Sequence, residues 1–345
     1  MRRTLSVLAV GVALGAVPAA AQDPDVRIVI RDTVKTVTSR AYQGRMRNSG
    51  PEQTEKFSRK AKIGRDGRVS ISNIAGDIKV TAGSGDEVVI DAIKRTRGDQ
   101  SQLSAAHIVV DERPGRVEVQ TEYDSDRSRR YNSINVSVDY TVLVPAGATI
   151  DIKSISRNVK VNGVQGVVHA ETVSGTLAAS ATPKLTAKTV SGDLELINAP
   201  ADADLAATTI SGNIRAKGLK VRTLDLGSVS GDVALTDIAC DRLGVKSVSG
   251  SVEFVGTLGK SGRYDLNTHS GSVRLSLAGN TGFELNANSF SGSIRSDFPV
   301  TLGPTTARND RRRPGPGHAT HAVFGDGSAT LNIRTFSGDV IITKR

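Results

Sequence analysis

The chain has 345 residues, a formal net charge of +10, no Trp, seven Phe and five Tyr. So few large rings exclude a core built on aromatics and count against a nucleic-acid binder, whose bases stack on such side chains. The positive balance points instead to anionic neighbours such as phosphate-bearing envelope polymers or lipid head groups.

Residues 1–21 read as a secretory signal: Arg2 and Arg3, an apolar centre from Leu5 to Val17, then Ala19-Ala20-Ala21 for cleavage. The apolar run is short of the ~20 residues that a membrane span needs, and no later stretch is apolar enough to cross. An exported protein is expected, in the periplasm, at the cell surface or outside the cell. Residues 22–60 are polar and read as a flexible lead-in, with one strand permitted over Val26 to Thr38.

Residues 61–150 carry alternating segments that predict less regular β units. Candidate strands are Val69 to Ile71, Ile78 to Val80, Val88 to Ile90, His107 to Val110, Val117 to Val119 and Val136 to Val144. Gly98 to Ala106 is the one place that suits a short helix, and Asp124 to Tyr131 reads as a charged loop.

Residues 151–345 are organised by a repeated Ser-Gly at Ser174-Gly175, Ser191-Gly192, Ser211-Gly212, Ser230-Gly231, Ser249-Gly250, Ser270-Gly271, Ser291-Gly292 and Ser337-Gly338. The first seven copies lie 17 to 21 residues apart and the eighth follows after 46. Each has a Ser or Thr two positions before the Ser, a small polar residue after the Gly, then a branched apolar one. Degenerate copies stand at Asn73 to Ile78 and Ser154 to Val159. A period near twenty marks stacked repeats. In Leu185-Thr186-Ala187-Lys188-Thr189 the odd positions face inward. After Gly192 the phase moves by one, so Leu194 and Leu196 face inward. One residue inserted into a period-two pattern is a bend, and glycine supplies its backbone angles.

A hairpin meander is the alternative, but a hairpin needs only Gly with Asn or Asp, whereas like residues recurring together suit ladders between rungs. The expected fold class is therefore all-β: a single-stranded β-helix, or β-solenoid, of ~20-residue repeats with an irregular N-terminal part. At ~4.8 Å per strand, eight rungs make roughly 38 Å.

The residues before each Ser are awkward: Val173, Val190, Ile210, Val229, Val248, His269, Phe290 and Phe336. Alternation sends them outward, yet seven of the eight are apolar. Either the bend folds them into a corner of the core, the reading favoured here, or they form an apolar stripe for a partner. Residues 299–328 interrupt the array as an inserted basic loop. The final rung is expected to be shielded by that loop or by pairing.

No motif carries catalytic chemistry. There is no nucleophile elbow, P-loop or dinucleotide fingerprint. Eight serines in register mark a structural turn, which assigns Gly175, Gly192, Gly212, Gly231, Gly250, Gly271, Gly292 and Gly338 to architecture. Cys240 cannot form an internal disulfide, and its flanks Ile238, Ala239 and Leu243 mark a buried small hydrophobe. His318 and His321 with Asp310 or Asp326 give a weak metal signal, and a solvated loop accounts for them better. No cofactor or metal site is assigned. Paired carboxylates in a groove, which a polysaccharide-cleaving coil needs, are not expected. Arg308, Arg311, Arg312 and Arg313 are the most distinctive charged cluster and a candidate contact for an anionic surface.

The (Ser/Thr)-hydrophobic-Ser-Gly-(Asp/Ser/Asn)-hydrophobic unit, ending in Arg334-Thr335-Phe336-Ser337-Gly338-Asp339-Val340, resembles an exported bacterial β-strand-repeat family of unknown function whose members are labelled candidate adhesins. The likeness runs from about Val69 to the C-terminus. It implies a single-stranded β-helix and an envelope location, with some relatives tied to envelope-stress signalling, and it carries over no functional residues. The reading is a non-enzymatic exported envelope protein, an interaction or adhesion surface that contacts an envelope protein or an anionic polymer. Alternatives are a regulatory or sensor partner in envelope stress and, more remotely, a polysaccharide-active enzyme.

Overall fold

A computed structural model describes residues 51–124, 135–279, 281–299, 301–302 and 318–345. The signal segment, the strand proposed over Val26 to Thr38, and Arg308, Asp310, Arg311, Arg312 and Arg313 lie outside the described residues.

The repeat writes a coil whose successive turns pair as parallel strands. β2 (Arg68–Ala75) and β3 (Ile78–Gly83) form one rung, β8 (Thr149–Ser156) and β9 (Val159–Asn162) the next. β10 (Val167–Ser174) with β11 (Leu177–Ser180), β12 (Lys184–Ser191) with β13 (Leu194–Ile197), and β14 (Asp204–Ser211) leading into β15 (Ile214–Ser230) continue it. The register matches like with like: Thr172 lies opposite Thr189 and Ser174 opposite Ser191. β15, β16 (Val233–Ser249) and β17 (Val252–Ser270) are long because they take in a third side, where Val221 pairs with Cys240 and Cys240 with Leu258.

Two of the bends are columns. At the first, Leu185, Ala187 and Thr189 point inward, the chain turns through Ser191-Gly192, and Leu194 and Leu196 point inward again. Gly212 shows why the column is glycine: its φ is +156°, and a Cβ there lands on the Gly192 carbonyl oxygen. From Gly192 to Gly271, and again at Gly338, the glycine N–H donates to the serine carbonyl of the next turn, as Gly212 N does to Ser230 O at 3.0 Å. The second bend stacks Gly163, Ala181, Asn198, Gly218 and Asp237, all with φ between +51° and +75°. These residues share a backbone angle and no side-chain type.

Polar residues after the glycines tie the turns together. Asp77 Oδ1 accepts the Asn158 N–H, Asn158 Oδ1 accepts the Thr176 N–H, and Asp193 Oδ1 accepts the Asn213 N–H. Asn213 and Asp232 continue the line to Asp232 and Ser251. A backbone donor left orphaned by the bend therefore finds a side chain one turn away. Inside, one contiguous apolar core runs the whole stack, and Leu177, Leu194, Val233 and Val252 are fully enclosed. Burying each such side chain stabilises by about 2 kcal/mol.

Stacking order departs from chain order at both ends. β6 (Arg116–Tyr123) pairs with β2, and β7 (Val136–Pro145) pairs with β3, on the side away from β8 and β9. The last repeat, β23 (Ala329–Ser337) and β24 (Val340–Lys344), does not end the stack. β23 lies between β17 and β19 (Phe283–Ser291), and β24 lies between β18 (Val273–Ala278) and β20 (Ile294–Ser296).

Antiparallel strands close the ends. β4 (Glu87–Thr96) pairs with β7, β5 (Ala106–Arg113) with β6, and β22 (His318–Phe324) with β19 and the short β21 (Thr301–Leu302). Parts of the expected insertion loop are thus strand, because the outer edge of β19 requires a partner. Likewise β1 (Gln53–Lys62), which takes up the end of the expected lead-in, is a strand antiparallel to β4. The helix expected after Gly98 is a single 3-10 segment, Gln100–Ala105, capped by the Asp99 side chain.

Candidate interaction surfaces

Each residue before a corner serine has a fixed place, outside the core. Ile74, Ile155, Val173, Val190, Ile210 and Val248 are half-buried, while Val229, His269, Phe336 and Phe290 are exposed. The favoured corner reading is therefore corrected: strict alternation prevails, and these residues form an apolar ridge along the stack. With one residue per turn and ~4.8 Å per turn, ten residues run roughly 43 Å. The ridge ends in aromatic rings. His269 stacks on Phe336 at 4.9 Å and Phe336 on Phe290 at 4.6 Å, following the stacking order and not the chain order. Phe290 and Phe336 are 45% and 48% exposed. The columns beside the ridge mix Glu171, Lys188 and Lys246 on one side and Glu195, Arg215 and Glu253 on the other.

Behind the ridge runs an inward column of small polar side chains, buried from Asn73 to Thr335. Some bond the glycine column: Thr209 Oγ1 donates to Gly192 O at 3.3 Å and Ser289 Oγ to Gly338 O at 3.1 Å. The hydroxyls of others, such as Thr189 and Ser228, have no hydrogen-bond partner among the described residues. Asn73, in the degenerate copy, takes the same place and anchors a buried network. It accepts from Thr121 Oγ1 at 3.0 Å and donates to Val138 O at 2.8 Å, and Thr121 contacts the Tyr140 hydroxyl at 2.7 Å. Burial pushes that phenol up to about 12.

The corner serines, Ser174 to Ser337, face outward in register. Among the described residues none bonds a histidine. Cys240 is buried on the third side, and that burial pushes its thiol up to about 12, so it stays protonated. His321 lies on β22 with Nδ1 2.8 Å from Asn286 Oδ1, and Asp326 accepts from Ser328 N. Among the described residues no three His, Cys, Asp or Glu side chains are grouped to hold a metal ion. None of the described helices is long and apolar enough to cross a membrane.

Near the N-terminal end the structure differs from expectation. A cleft of about 370 Å³ gathers three carboxylates, Glu52, Asp77 and Asp139, with Arg95, Arg97 and Arg157. Alternation predicted the strand that carries Asp139, but Asp77, Arg97 and Arg157 lie in the bends beside strands, and their convergence depends on β7 stacking beneath β3, which no local pattern shows. Asp139 Oδ2 takes Arg95 Nε at 2.7 Å, and Asp139 Oδ1 accepts the Asp77 N–H at 2.9 Å.

The sequence profile of the Toastrack DUF4097 family matches residues 67–343. Three solved structures are similar at low identity. A candidate cell adhesion protein from Clostridium sporogenes ATCC 15579 shares 9% identity, with 85% of this chain and 100% of that one covered and a TM-score of 0.25. A candidate lipid binding protein from Parabacteroides distasonis ATCC 8503 shares 11%, covering 86% and 98%, at 0.38. A candidate adhesin from Bacteroides fragilis NCTC 9343 shares 10%, covering 84% and 97%, at 0.36. No curated protein matches the chain by sequence.

Proposed function

The chain belongs to the Toastrack DUF4097 family, and from that premise we propose that it is a non-enzymatic, exported interaction protein of the cell envelope whose contact surface is the apolar ridge. The observation that carries this reading is the outward line from Ile74 to Phe290. It is apolar throughout save His269, in a fold whose neighbouring outward columns carry charged residues such as Glu171, Lys188, Glu195 and Arg215 among small and polar ones. Solvent-facing apolar side chains in a continuous row are costly unless something covers them. The solenoid supplies a rigid backing, so a partner meets a surface that needs no ordering on binding. Arg308, Arg311, Arg312 and Arg313 supply a second, electrostatic contact for anionic envelope polymers in this proposal.

The test is retention of the mature protein by membrane, wall and envelope-protein fractions, with Val190→Lys and Val229→Lys as variants. Loss of retention with unchanged thermal unfolding supports the ridge. Retention that survives both substitutions refutes it. If the retained partner is one envelope protein and not a polymer or lipid, the role is that of a regulatory or sensor partner, and the aromatic end at Phe336 and Phe290 is where its apolar side chains dock.

The polysaccharide-active reading meets three carboxylates in the N-terminal cleft. A general acid must be kept protonated by burial, whereas Glu52 and Asp77 are exposed and Asp139 is bound to Arg95. The cleft therefore supports a binding role over a hydrolytic one.

A further inference from the structure

We infer that the N-terminal cleft is a binding site for a small oxyanion-bearing ligand, held by Arg97 and Arg157. The first ground is Arg157 itself. Ser154, Ser156 and Arg157 align with Thr172, Ser174 and Gly175, so an arginine occupies a position that glycine fills in the turns on either side, Gly76 and Gly175. Its φ is +89°, a conformation that side-chain-bearing residues rarely adopt. Arg157 is the one departure from glycine between Gly76 and Gly175 in this column, and its side chain lines the cleft.

The second ground is the balance of donors and acceptors. Arg95 is spent: Nε binds Asp139 at 2.7 Å and Nη1 lies 3.7 Å from Glu52. Asp77 Oδ1 is taken by the Asn158 N–H at 3.0 Å, and Asp139 by Arg95 and the Asp77 N–H. Arg97 and Arg157 have no ion-pair or hydrogen-bond partner among the described residues, so two guanidinium forks face the cleft uncommitted. A ligand must bring acceptors to meet them. Guanidinium matches the two oxygens of a carboxylate or phosphate, which neutral hydroxyls do less well.

The three arginines and three acids cancel in formal charge. The cleft therefore selects by direct contact and not by a long-range field, which favours a compact ligand over a polyanion. Its volume, about 370 Å³, falls at the small end of ligand clefts and suits a single charged sugar. The site lies on rungs at the N-terminal end and does not depend on the ridge proposed above.

The experiment is calorimetric titration of the full mature chain with glucuronate, glucose 6-phosphate and glucose, repeated with Arg157→Gly and Arg97→Gln. Arg157→Gly restores the glycine of the column, so the variant is expected to fold with an unchanged or higher melting temperature. One or both charged sugars should bind and glucose should not, and each substitution should weaken binding by about tenfold or more. Binding by glucuronate alone assigns a carboxylate ligand, and binding by glucose 6-phosphate alone assigns a phosphate. Equal binding of glucose, no binding of either charged sugar, or binding that both variants retain would overturn the site. Val190→Lys with Val229→Lys should leave these titrations unchanged, so the ridge can fail while the cleft stands, and the reverse.

Discussion

The Asp193 carboxylate holds the backbone N–H of Asn213 at 2.8 Å, twenty residues along the chain and one turn up the stack. Asn213 then holds the N–H of Asp232 at 3.0 Å. The repeat thus conserves a donor–acceptor relay between turns as well as a bend within each. Asn213→Ala removes one link and leaves the Asp232 amide without its acceptor. The expected cost is about 1 kcal/mol in urea unfolding, with the far-ultraviolet β signal unchanged. No loss of stability would show that the relay is decorative.

Two links are carboxylates with a pH signature. The Asn213 N–H, then Arg215, hold Asp193 below the usual carboxylate range, and the Ser293 N–H, then its hydroxyl, do so for Asp339. A depressed folded value means that the contribution is present above the unfolded value of about 4 and is lost as pH falls through the folded one. Melting temperature should therefore drop on acidification below about pH 4. Asp193→Asn with Asp339→Asn keeps both acceptor oxygens and should flatten that slope; parallel curves for parent and variant would contradict the assignment.

At the glycine column a single methyl group is decisive. Gly212→Ala places its Cβ on the Gly192 carbonyl within a stack that cannot shift one turn alone. A loss of roughly 3 kcal/mol or failure to fold is expected. Gly115→Ala is the control: φ is +74° with nothing near the added atom, so only the backbone cost of about 1 kcal/mol applies. Equal effects at the two sites would show that packing in the column is not what fixes glycine there.

Ala181 offers the converse. At φ +51° it occupies a second-bend position that Gly163 and Gly218 fill elsewhere. Ala181→Gly should raise stability by about 0.5 kcal/mol, since relief of the left-handed strain exceeds the added freedom of the unfolded chain. A lower melting temperature would rule this out.

Ridge and core should separate cleanly. Phe336→Lys lies outside and should change unfolding free energy by less than about 0.5 kcal/mol beyond the loss of its ring stack. Leu194→Ala opens the enclosed core and should cost about 3 kcal/mol. Similar losses at both positions would place the ridge in the core after all.

Much of this architecture is legible in the sequence. The phase change across Gly192 depends on two neighbouring strands alone, so alternation displays it directly, and Leu185, Leu194 and Leu196 face inward as read. The second bend was not legible. Ala181, Asn198 and Asp237 share an angle and no chemistry, and a sequence records chemistry. Stacking order was hidden for a different reason. The copies at Ser270, Ser291 and Ser337 are nearly interchangeable, so sequence likeness cannot say which sits on which. The ridge shows in the sequence only as an anomaly, because at these positions apolar character points to the core and strict alternation points outward. The cleft was invisible: Asp139 on β7 meets Arg97, just after β4, and Arg157, between β8 and β9, only because β7 stacks beneath β3.

The rung carried by Ser337 and Gly338 follows those of Ser270 and Ser291 in the chain, yet it is held between them. A chain assembled from its N-terminus can stack as far as Gly271 and must then leave a vacancy, or build Phe283–Ser291 in place and reopen it. Completion waits on Ala329–Ser337, since both of its neighbours are made before it. Once the late rung is seated, its parallel edges are consumed on both sides, and the antiparallel strand at His318–Phe324 faces the next molecule with the wrong polarity for continued stacking. A coil made of self-similar turns is by this means given a defined length.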